Sequence, residues 1–389
     1  MWLFAVARAL AKSHLQILGV KMDIKTIDRN FEMSFTPPDD VEFLSALEAP
    51  FCTYGVRFCH QEGLFRRIPL EVAEATSEGV SRLSYHTSGG RIRFVTDSPY
   101  IIMRVEEPFE VPFSHMTVAG KCGVSLYANR KFVGTVMPSY EQIVAADPAR
   151  GGSGTIVFDG IKYPYKTSNQ PYTVDLFLPL YSAVKSVHIG VRKGTWLQAA
   201  PPYQHQKPVL FYGSSITQGG CASKPGDDYV GRICRALDVD VINLGFSGNA
   251  KGEATIAEYI AAQDPAVFVL DYDHNAPSAE HLQKTHYALY KTVRDAHPTT
   301  PIVLMTMPTI EGYENRPANA ARRAEIFDTL ERAKESGDTN VYLVDCYGCF
   351  GEAENGECGT VDDCHPNSLG FLRMYERVLP LLKTLLNKE

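Results

Sequence analysis

One serine and one histidine in this chain lie in settings that suit a nucleophile and a general base. Ser215 belongs to the segment Tyr212–Gly219, in which an apolar run ends in glycine and two serines precede a candidate helix. The N-terminus of a helix favours a developing negative charge, because its backbone N–H groups are unpaired. His365 follows Asp362 by three residues, and a carboxylate at this spacing can orient one imidazole nitrogen and leave the other free to accept a proton. This pattern is typical of nucleophilic catalysis by a serine.

Two further loops contain groups that could bind a developing charge or a metal ion. Gly245 and Gly248 allow the backbone to approach a ligand closely. A later loop places four polar side chains directly after an apolar run, namely Asp271, Asp273, His274 and Asn275. Carboxylates and an imidazole are also metal ligands, so this loop could belong to a metal hydrolase, which a chelator would inactivate. Each of these segments, taken alone, also fits an ordinary turn or loop.

The cysteines and a second aspartate leave alternatives open. Cys346 and Cys349 have the spacing of a zinc or redox pair, with Cys358 and Cys364 following at irregular intervals. Ordinary free thiols are the simpler interpretation. Asp363 lies next to Asp362 and competes with it as the partner of His365.

The elements that must position these residues change in character along the chain. From about residue 23 to residue 206, short runs of β-branched and aromatic residues alternate with turn signals, which predicts an all-β sandwich of jelly-roll type. The predicted strands include Arg91–Thr96, Tyr100–Val105, Gly123–Ala128, Thr155–Phe158 and Val184–Val191.

After Pro208, nearly continuous apolar runs alternate with segments of helical periodicity. Strands of this kind are buried on both faces, so the pattern predicts a three-layer α/β domain with a parallel sheet. The predicted strands are Val209–Tyr212, Val239–Leu244, Ala266–Leu270, Pro301–Thr306 and Asn340–Val344, and the predicted helices are Ser278–Ala296, Pro317–Ser336 and Ser368–Leu386, with Pro366 at the start of the last one. Ligands bind such sheets at the carboxyl ends of the strands, where the four loops described above would meet.

Length and composition exclude several classes of protein. A chain of 389 residues suggests two domains, and 44% hydrophobic with 21% charged residues is ordinary for a globular protein. The net charge of −7 argues against nucleic acid as a partner. The apolar start of the chain is interrupted at Arg8 and Lys12, so it is a poor secretory signal, and no segment is long enough to span a membrane. Nine cysteines cannot all pair, which favours reduced thiols in the cytoplasm.

Taken together, the four loops resemble the conserved blocks of the SGNH (GDSL-type) hydrolase superfamily, from Gly213 to His365. The chain is most similar to a two-domain branch with an N-terminal β-sandwich, whose Gly-x-Asp-Leu-Tyr segment is matched by Thr173–Phe177. That segment lacks the leading glycine and the final tyrosine, so we expect Asp175 to make a structural hydrogen bond. The resemblance implies a flavodoxin-like sheet in the second domain.

The resemblance also implies roles for individual residues. Ser215 matches the nucleophile, His365 the catalytic base and Asp362 the carboxylate that orients it. Gly248, through its N–H, and Asn275, through its side-chain amide, match the oxyanion hole together with the N–H of Ser215. The third block here reads Asp-His-Asn instead of the common Gly-x-Asn-Asp. No cofactor or metal is implied.

The expected function is a serine esterase that acts on short acyl groups, acetyl above all, of a small-molecule or oligosaccharide ester. The alternatives are a lipase-like or thioesterase-like hydrolase of longer acyl esters and a catalytically idle carbohydrate-binding protein. We expect neither nucleic acid nor a membrane as partner, and a homo-oligomer is compatible with the sequence. The expected organisation is an N-terminal appendage (1–22), the β-sandwich (23–200), a linker (201–207) and the hydrolase domain (208–389).

Overall fold

The structure, a computed structural model, describes residues 35–164, 170–311, 317–352 and 358–387. The expected N-terminal appendage lies outside these residues. From Pro38 onward the chain forms one compact unit. None of the helices in the described ranges combines the length and the apolar character that crossing a bilayer requires.

The described residues contain seventeen strands and ten α-helices. The strands are β1 (Val41–Ser45), β2 (Cys52–Tyr54), β3 (Arg57–Cys59), β4 (Leu64–Arg66), β5 (Arg91–Thr96), β6 (Ile101–Pro108), β7 (Val124–Ala128), β8 (Lys131–Val136), β9 (Thr155–Lys162), β10 (Tyr172–Phe177), β11 (Ser186–Arg192), β12 (Leu197–Gln198), β13 (His205–Gly213), β14 (Val239–Gly245), β15 (Val267–Asp271), β16 (Ile302–Met305) and β17 (Val341–Val344). The helices are α1 (Leu70–Thr76), α2 (Glu78–Leu83), α3 (Val118–Cys122), α4 (Tyr140–Ala146), α5 (Ser215–Gln218), α6 (Tyr229–Leu237), α7 (Ala254–Ala261), α8 (Ala279–Ala296), α9 (Pro317–Glu335) and α10 (Ser368–Leu386).

The first half of the described chain is a sandwich of two antiparallel sheets. One sheet has the order β1-β11-β6-β9, and the other has the order β12-β5-β10-β7-β8 with β2 paired to β5. The alternation of side chains along each strand sends one set into a shared core, in which Phe94 and Leu176 of one sheet meet Met103 and Ile189 of the other. The prediction of an all-β sandwich is therefore confirmed.

The second half is a three-layer α/β structure. Its five strands are all parallel in the order β14-β13-β15-β16-β17, which is the flavodoxin-like order 2-1-3-4-5. Phe211 and Val269 face helices α6 and α10 on one side of the sheet. Leu210 and Leu270 face α7, α8 and α9 on the other. The predicted parallel sheet is confirmed, and its strand order reverses between β13 and β15, the point at which such sheets bind ligands.

Two details differ from the sequence-based expectations. Pro366 does not begin the last helix: the Asn367 side chain accepts hydrogen bonds from the amide N–H groups of Leu369 and Gly370, so Asn367 is the N-cap and α10 begins at Ser368. Strand β13 begins at His205, inside the segment expected to be a linker. The proposed domain boundaries themselves stay predictions.

Buried arginines of the sandwich hold its edge against strand β14. The Arg67 guanidinium donates to the carbonyl oxygens of Asn243 and Gly245, at 3.0 and 2.6 Å. Arg91 pairs with Asp240. A buried charge is costly unless it is paired, so these contacts favour one orientation of the two halves. They also fix the loop that follows β14, which contains Gly248.

Candidate active site

Ser215 lies at the first position of helix α5, directly after strand β13. A Cβ atom at Gly213 would lie 2.0 Å from the Thr217 hydroxyl and 2.5 Å from the Asp271 carbonyl oxygen, so this sharp turn requires glycine. The Ser214 hydroxyl caps the helix by accepting from the amide N–H two residues later, at 3.1 Å. The turn therefore leaves the Ser215 side chain at the carboxyl end of the sheet.

A buried carboxyl group stabilises this turn through hydrogen bonds. Asp271 accepts hydrogen bonds from the hydroxyls of Thr217 and Tyr229, both at 2.8 Å. Burial raises the pKa of Asp271 to about 7, although both hydrogen bonds lower it. Asp271 thus stabilises the turn after β13 that contains Ser215, a role that the sequence did not reveal.

His365 lies between Ser215 and Asp362. Its Nε2 atom is 3.0 Å from the Ser215 Oγ, and its Nδ1 atom is 2.8 Å from the Asp362 Oδ2. The other oxygen of Asp362 accepts from the backbone N–H groups of Cys364 and His365, at 3.3 and 2.7 Å. The tight turn between acid and base thus presents Asp362 to the ring, while Asp363, at a φ of 65°, takes no part in this contact.

The electrostatics of this pair favour a charged carboxylate. Burial alone would raise the pKa of Asp362, but the hydrogen bonds from the His365 backbone and ring, together with the N–H of Cys364, lower it below its usual value. Asp362 is therefore an anion at neutral pH, and it favours the tautomer of His365 in which Nδ1 carries the proton. Nε2 is then free to accept the proton of Ser215.

The loop after β14 and the loop after β15 meet next to this turn. Gly248 adopts a φ of 67°, a left-handed conformation that favours glycine. The Asn275 amide donates to the carbonyl oxygen of Phe246 at 2.8 Å, which ties it to the Gly248 loop. The backbone N–H groups of Ser215 and Gly248 hydrogen-bond to no described residue. One hydrogen of the Asn275 amide and both N–H groups thus remain available for a ligand.

The other polar residues after β15 point to different partners. The Asp273 carboxylate accepts from the N–H of Met307 at 2.8 Å, and burial raises its pKa to about 7. His274 contacts the sulfur of Cys364 through Nε2, at 2.9 Å, and burial lowers its pKa to about 4. Within the described chain, no metal-sized cluster of three ligands includes Asp271, Asp273 or His274. The metal site considered for this loop is therefore not supported.

The late cysteines do not gather around one point either. Cys346 and Cys349 are buried thiols that hydrogen-bond to each other. Cys358 is exposed and contacts Thr360, whereas Cys364 lies beside His274. The four sulfurs therefore do not form the zinc site that their spacing left open.

The sandwich supplies residues at the site that the sequence did not indicate. The Tyr181 hydroxyl donates to the carbonyl oxygen of Ser215 at 3.0 Å. The ring of His115, from the loop between β6 and α3, lies 5.3 Å from the ring of His365. Because these residues lie far from the hydrolase blocks in sequence, only packing could reveal them.

A cavity of about 230 Å³ opens beside the loop Asp362–His365, the acid–base loop. Cys364 and Asp363 form one side of it, and the remaining wall comes from His274, Met307, Pro308, Thr309, Ile310, Asn319 and Arg322. The Arg322 guanidinium donates to the carbonyl oxygen of Ala276 at 3.0 Å, which positions a cation on this wall. The cavity is thus lined by both apolar side chains and hydrogen-bonding groups.

Comparisons with known proteins agree with this architecture. Residues 206–383 match the GDSL-like lipase/acylhydrolase family, and residues 41–197 match the family described as the N-terminus of SGNH-hydro-type esterases, named for its GxDLY motif. The chain belongs to the SGNH (GDSL-type) hydrolases. It is accordingly a hydrolase of ester bonds. No curated protein matched the chain.

Several solved structures share both halves of this SGNH hydrolase. A protein described as a GDSL-like lipase from Bacteroides ovatus is 26% identical, with a TM-score of 0.76, over 89% of this chain and 98% of that one. The salicylyl-acyltransferase SsfX3 from a tetracycline biosynthetic pathway is 19% identical, with a TM-score of 0.69, over 90% and 98%. A family two carbohydrate esterase from Cellvibrio japonicus is 12% identical, with a TM-score of 0.57, over 89% and 98%. The similarity to the acyltransferase and to the carbohydrate esterase shows that they share the fold of this chain.

The GxDLY-like segment of this SGNH hydrolase lies on β10, away from the acid–base loop. Its Asp175 forms an ion pair with Arg93, with 2.7 Å between the charged atoms, and both side chains are buried. The Arg93 guanidinium also lies 3.7 Å from the centre of the Tyr203 ring. These contacts agree with the expected structural role of Asp175.

Proposed function

We propose that this SGNH hydrolase is a serine esterase that removes short acyl groups, acetyl above all, from carbohydrate esters. Ser215 is the nucleophile, His365 the general base and Asp362 the residue that orients it. One observation carries the proposal: an unbroken line of contacts runs from the Ser215 hydroxyl through the His365 ring to Asp362, at 3.0 and 2.8 Å. Both distances are within hydrogen-bond reach, as proton transfer requires.

In the first step, Ser215 attacks the ester carbonyl while His365 Nε2 takes the hydroxyl proton. A serine hydroxyl is a weak nucleophile at neutral pH, so the base must act as the new bond forms. The imidazolium that results is stabilised by the anionic Asp362. Breakdown of the tetrahedral intermediate returns that proton to the leaving alcohol, and water then releases the acid by the same steps in reverse.

The negative charge of the tetrahedral intermediate requires hydrogen-bond donors that are already in place. The free N–H groups of Ser215 and Gly248 and the Asn275 amide are the candidates. Asn275 is tied to the Gly248 loop, so these donors need little reorganisation when charge develops. Loss of one such donor typically costs about 10²–10³ in kcat.

The cavity beside the acid–base loop supports a carbohydrate ester as the substrate class. His274, Thr309, Asn319 and Arg322 offer hydrogen-bonding groups that suit the hydroxyls of a sugar better than an alkyl chain. Among proteins of the same fold are an acetyl xylan esterase from Butyrivibrio proteoclasticus and the carbohydrate esterase from Cellvibrio japonicus. We therefore favour an O-acetylated sugar or oligosaccharide, with no nucleic acid or membrane as partner.

The test combines a substrate panel with two variants. Nitrophenyl esters from acetate to laurate, acetylated xylan and acetylated monosaccharides are compared at equal enzyme concentration, and we expect acetyl esters to react fastest. Ser215→Ala and His365→Ala should abolish turnover while circular dichroism and the thermal midpoint stay near wild type. Near-normal turnover in either variant contradicts the proposed chemistry, and rates that rise with chain length favour a lipase-like enzyme instead.

We further propose that the enzyme works in a reducing compartment, as the cytoplasm is. Nine cysteines cannot all pair, and Cys122, Cys234 and Cys346 are buried free thiols. Free thiols are alkylated in intact cells before lysis, and the purified protein is then unfolded and treated with reductant. Titration should find no newly released thiols. Disulfides trapped by this procedure would contradict the proposal.

A further inference from the structure

His365 belongs to a cluster of three side chains that can bind a metal ion, next to the sandwich. His115, Cys221 and His365 each offer one ligand atom, and these three atoms all lie within 4.8 Å of one another. The residues come from three distant parts of the chain: the loop before α3, the segment after α5 and the acid–base loop. Neither the proposed ester chemistry nor the family blocks use His115 or Cys221.

The surroundings leave these groups open to a ligand. The ring nitrogens of His115 hydrogen-bond to no described residue, and the only hydrogen bond of the Cys221 thiol within those residues goes to the carbonyl oxygen of His115, at 3.4 Å. Cys221 is buried, whereas His115 and His365 are half-buried, so an ion could enter from the open side. The Cys221 backbone lies in the left-handed region, at a φ of 69°, and its sulfur lies within 4.8 Å of a ring nitrogen of each histidine.

We propose that His115, Cys221 and His365 bind Zn²⁺, and that the bound ion inhibits the esterase. One thiolate and two imidazoles are a ligand set that Zn²⁺ prefers to Mg²⁺ or Ca²⁺. Ligand atoms bonded to one zinc ion at about 2.0–2.3 Å lie about 3.3–3.8 Å apart. Since no separation in the cluster exceeds 4.8 Å, any contraction needed is at most about 1.5 Å, which side-chain rotation can supply. Three protein ligands leave the fourth position to water.

Binding has a proton balance that the structure defines. The Cys221 thiol donates to the carbonyl oxygen of His115, so it carries its proton before an ion binds. Zn²⁺ takes the sulfur lone pair and the thiol proton goes to solvent, which makes the affinity fall as the pH falls. The bond from the thiol to the His115 carbonyl is lost in the same step.

Inhibition, unlike binding, rests on the proposed function. The two nitrogens of His365 contact Ser215 and Asp362. A metal ion on Nε2 takes the lone pair that Ser215 needs, and one on Nδ1 displaces Asp362. Either way His365 can no longer act as the oriented base.

Binding is measured first, without any substrate. The full chain is freed of metal with a chelator and titrated with Co²⁺, whose bond to a thiolate absorbs in the near ultraviolet, and Zn²⁺ is then added as a competitor. We expect one Co²⁺ per chain, displaced by one Zn²⁺. Cys221→Ser should remove the thiolate band, and His115→Gln should weaken binding at least about 100-fold, since loss of an outer-shell partner alone costs about 10–100-fold.

Two matched thiol variants complete the binding experiment. Cys358→Ser removes an exposed thiol, and Cys364→Ser removes the thiol that forms a second group of three ligand atoms with Asp362 and His365. Both should keep the band of wild type. The proposal is overturned if wild type gives no band, if Cys221→Ser keeps it, or if Cys364→Ser alone removes it.

Inhibition is measured with nitrophenyl acetate, each variant relative to its own metal-free rate. Zn²⁺ should inhibit wild type reversibly, with full recovery in chelator, and should inhibit Cys221→Ser and His115→Gln only at concentrations at least about 100-fold higher. Equal inhibition of all variants contradicts the site. Ser215→Ala separates the two proposals: it should keep the cobalt band while losing turnover, so a failure of the ester chemistry leaves the binding result readable.

Discussion

Replacing Asp362 by asparagine tests what prepares His365 to accept a proton. In the structure one oxygen of Asp362 accepts from the N–H groups of Cys364 and His365, and the other faces the ring Nδ1 at 2.8 Å. The single oxygen of asparagine can still satisfy the backbone, which places its NH₂ group against Nδ1. Nδ1 must then accept, so the ring proton moves to Nε2 and the Ser215 proton has no acceptor.

The size of this effect depends on how exposed the pair is. The His365 side chain is 20% exposed and that of Asp362 is 37% exposed, so water replaces part of the lost charge stabilisation. The tautomer effect remains, because water does not remove the NH₂ group from Nδ1. General base catalysis contributes about 10²–10⁴ in rate, and we expect kcat to fall at least about 100-fold, or about 2.7 kcal/mol in activation free energy.

The assay is steady-state hydrolysis of nitrophenyl acetate, with Asp363→Asn as the matched control. Both substitutions remove one negative charge from the same turn, and asparagine tolerates the left-handed backbone of residue 363. We expect Asp363→Asn to keep a kcat near that of wild type. The reasoning is refuted if Asp362→Asn retains full activity, or if the loss appears in Asp363→Asn instead.

Three further substitutions probe the site and its support. Asn275→Ala should lower kcat by about 10²–10³ with a smaller effect on KM, whereas a raised KM with unchanged kcat would indicate a binding role. Asp175→Ala leaves the buried Arg93 charge with only the more distant Asp238, at 4.0 Å, so urea denaturation should show a loss of up to about 3–5 kcal/mol in unfolding free energy while the folded enzyme keeps its kcat; a loss confined to kcat would contradict the structural role. Burial raises the pKa of Asp271 to about 7 from 3.8, so the native state keeps a proton that the unfolded state has lost, and this carboxyl costs stability as the pH rises from about 4 to about 7. Asp271→Asn should therefore gain unfolding free energy relative to wild type across that window, and a constant difference would show that Asp271 does not titrate there.

Much of the fold could be read from local patterns. Helix α8 was expected over Ser278–Ala296 and lies at Ala279–Ala296, and strand β5 lies where it was expected, at Arg91–Thr96. Such elements are predictable because periodicity and capping residues act over a few neighbouring positions. The last helix lies at Ser368–Leu386 as expected, but Pro366 misled for the same local reason: the Asn367 side chain caps the first helical N–H groups, so Pro366 stays outside the helix.

The site residues also differ in whether local sequence or the folded chain identifies them. Sequence order and block spacing are enough to propose Ser215, His365 and Asn275 as site residues, because the family blocks occur at strand ends that a parallel sheet must bring together. The choice of Asp362 over Asp363 as the partner of the ring depends on how one short turn folds back, and both residues occur in the same block.

What the amino-acid sequence determines here is the set of reactive groups and the elements that present them. Tertiary structure decides which groups from distant segments surround those residues: Tyr181 on the Ser215 carbonyl, His115 against His365, and Asp271 against the turn that contains Ser215. The first two contacts depend on side-chain packing between the sandwich and the α/β half, and the third depends on packing within the α/β half. No local pattern records them, because the free energy of each contact arises only when segments more than thirty residues apart exclude water together.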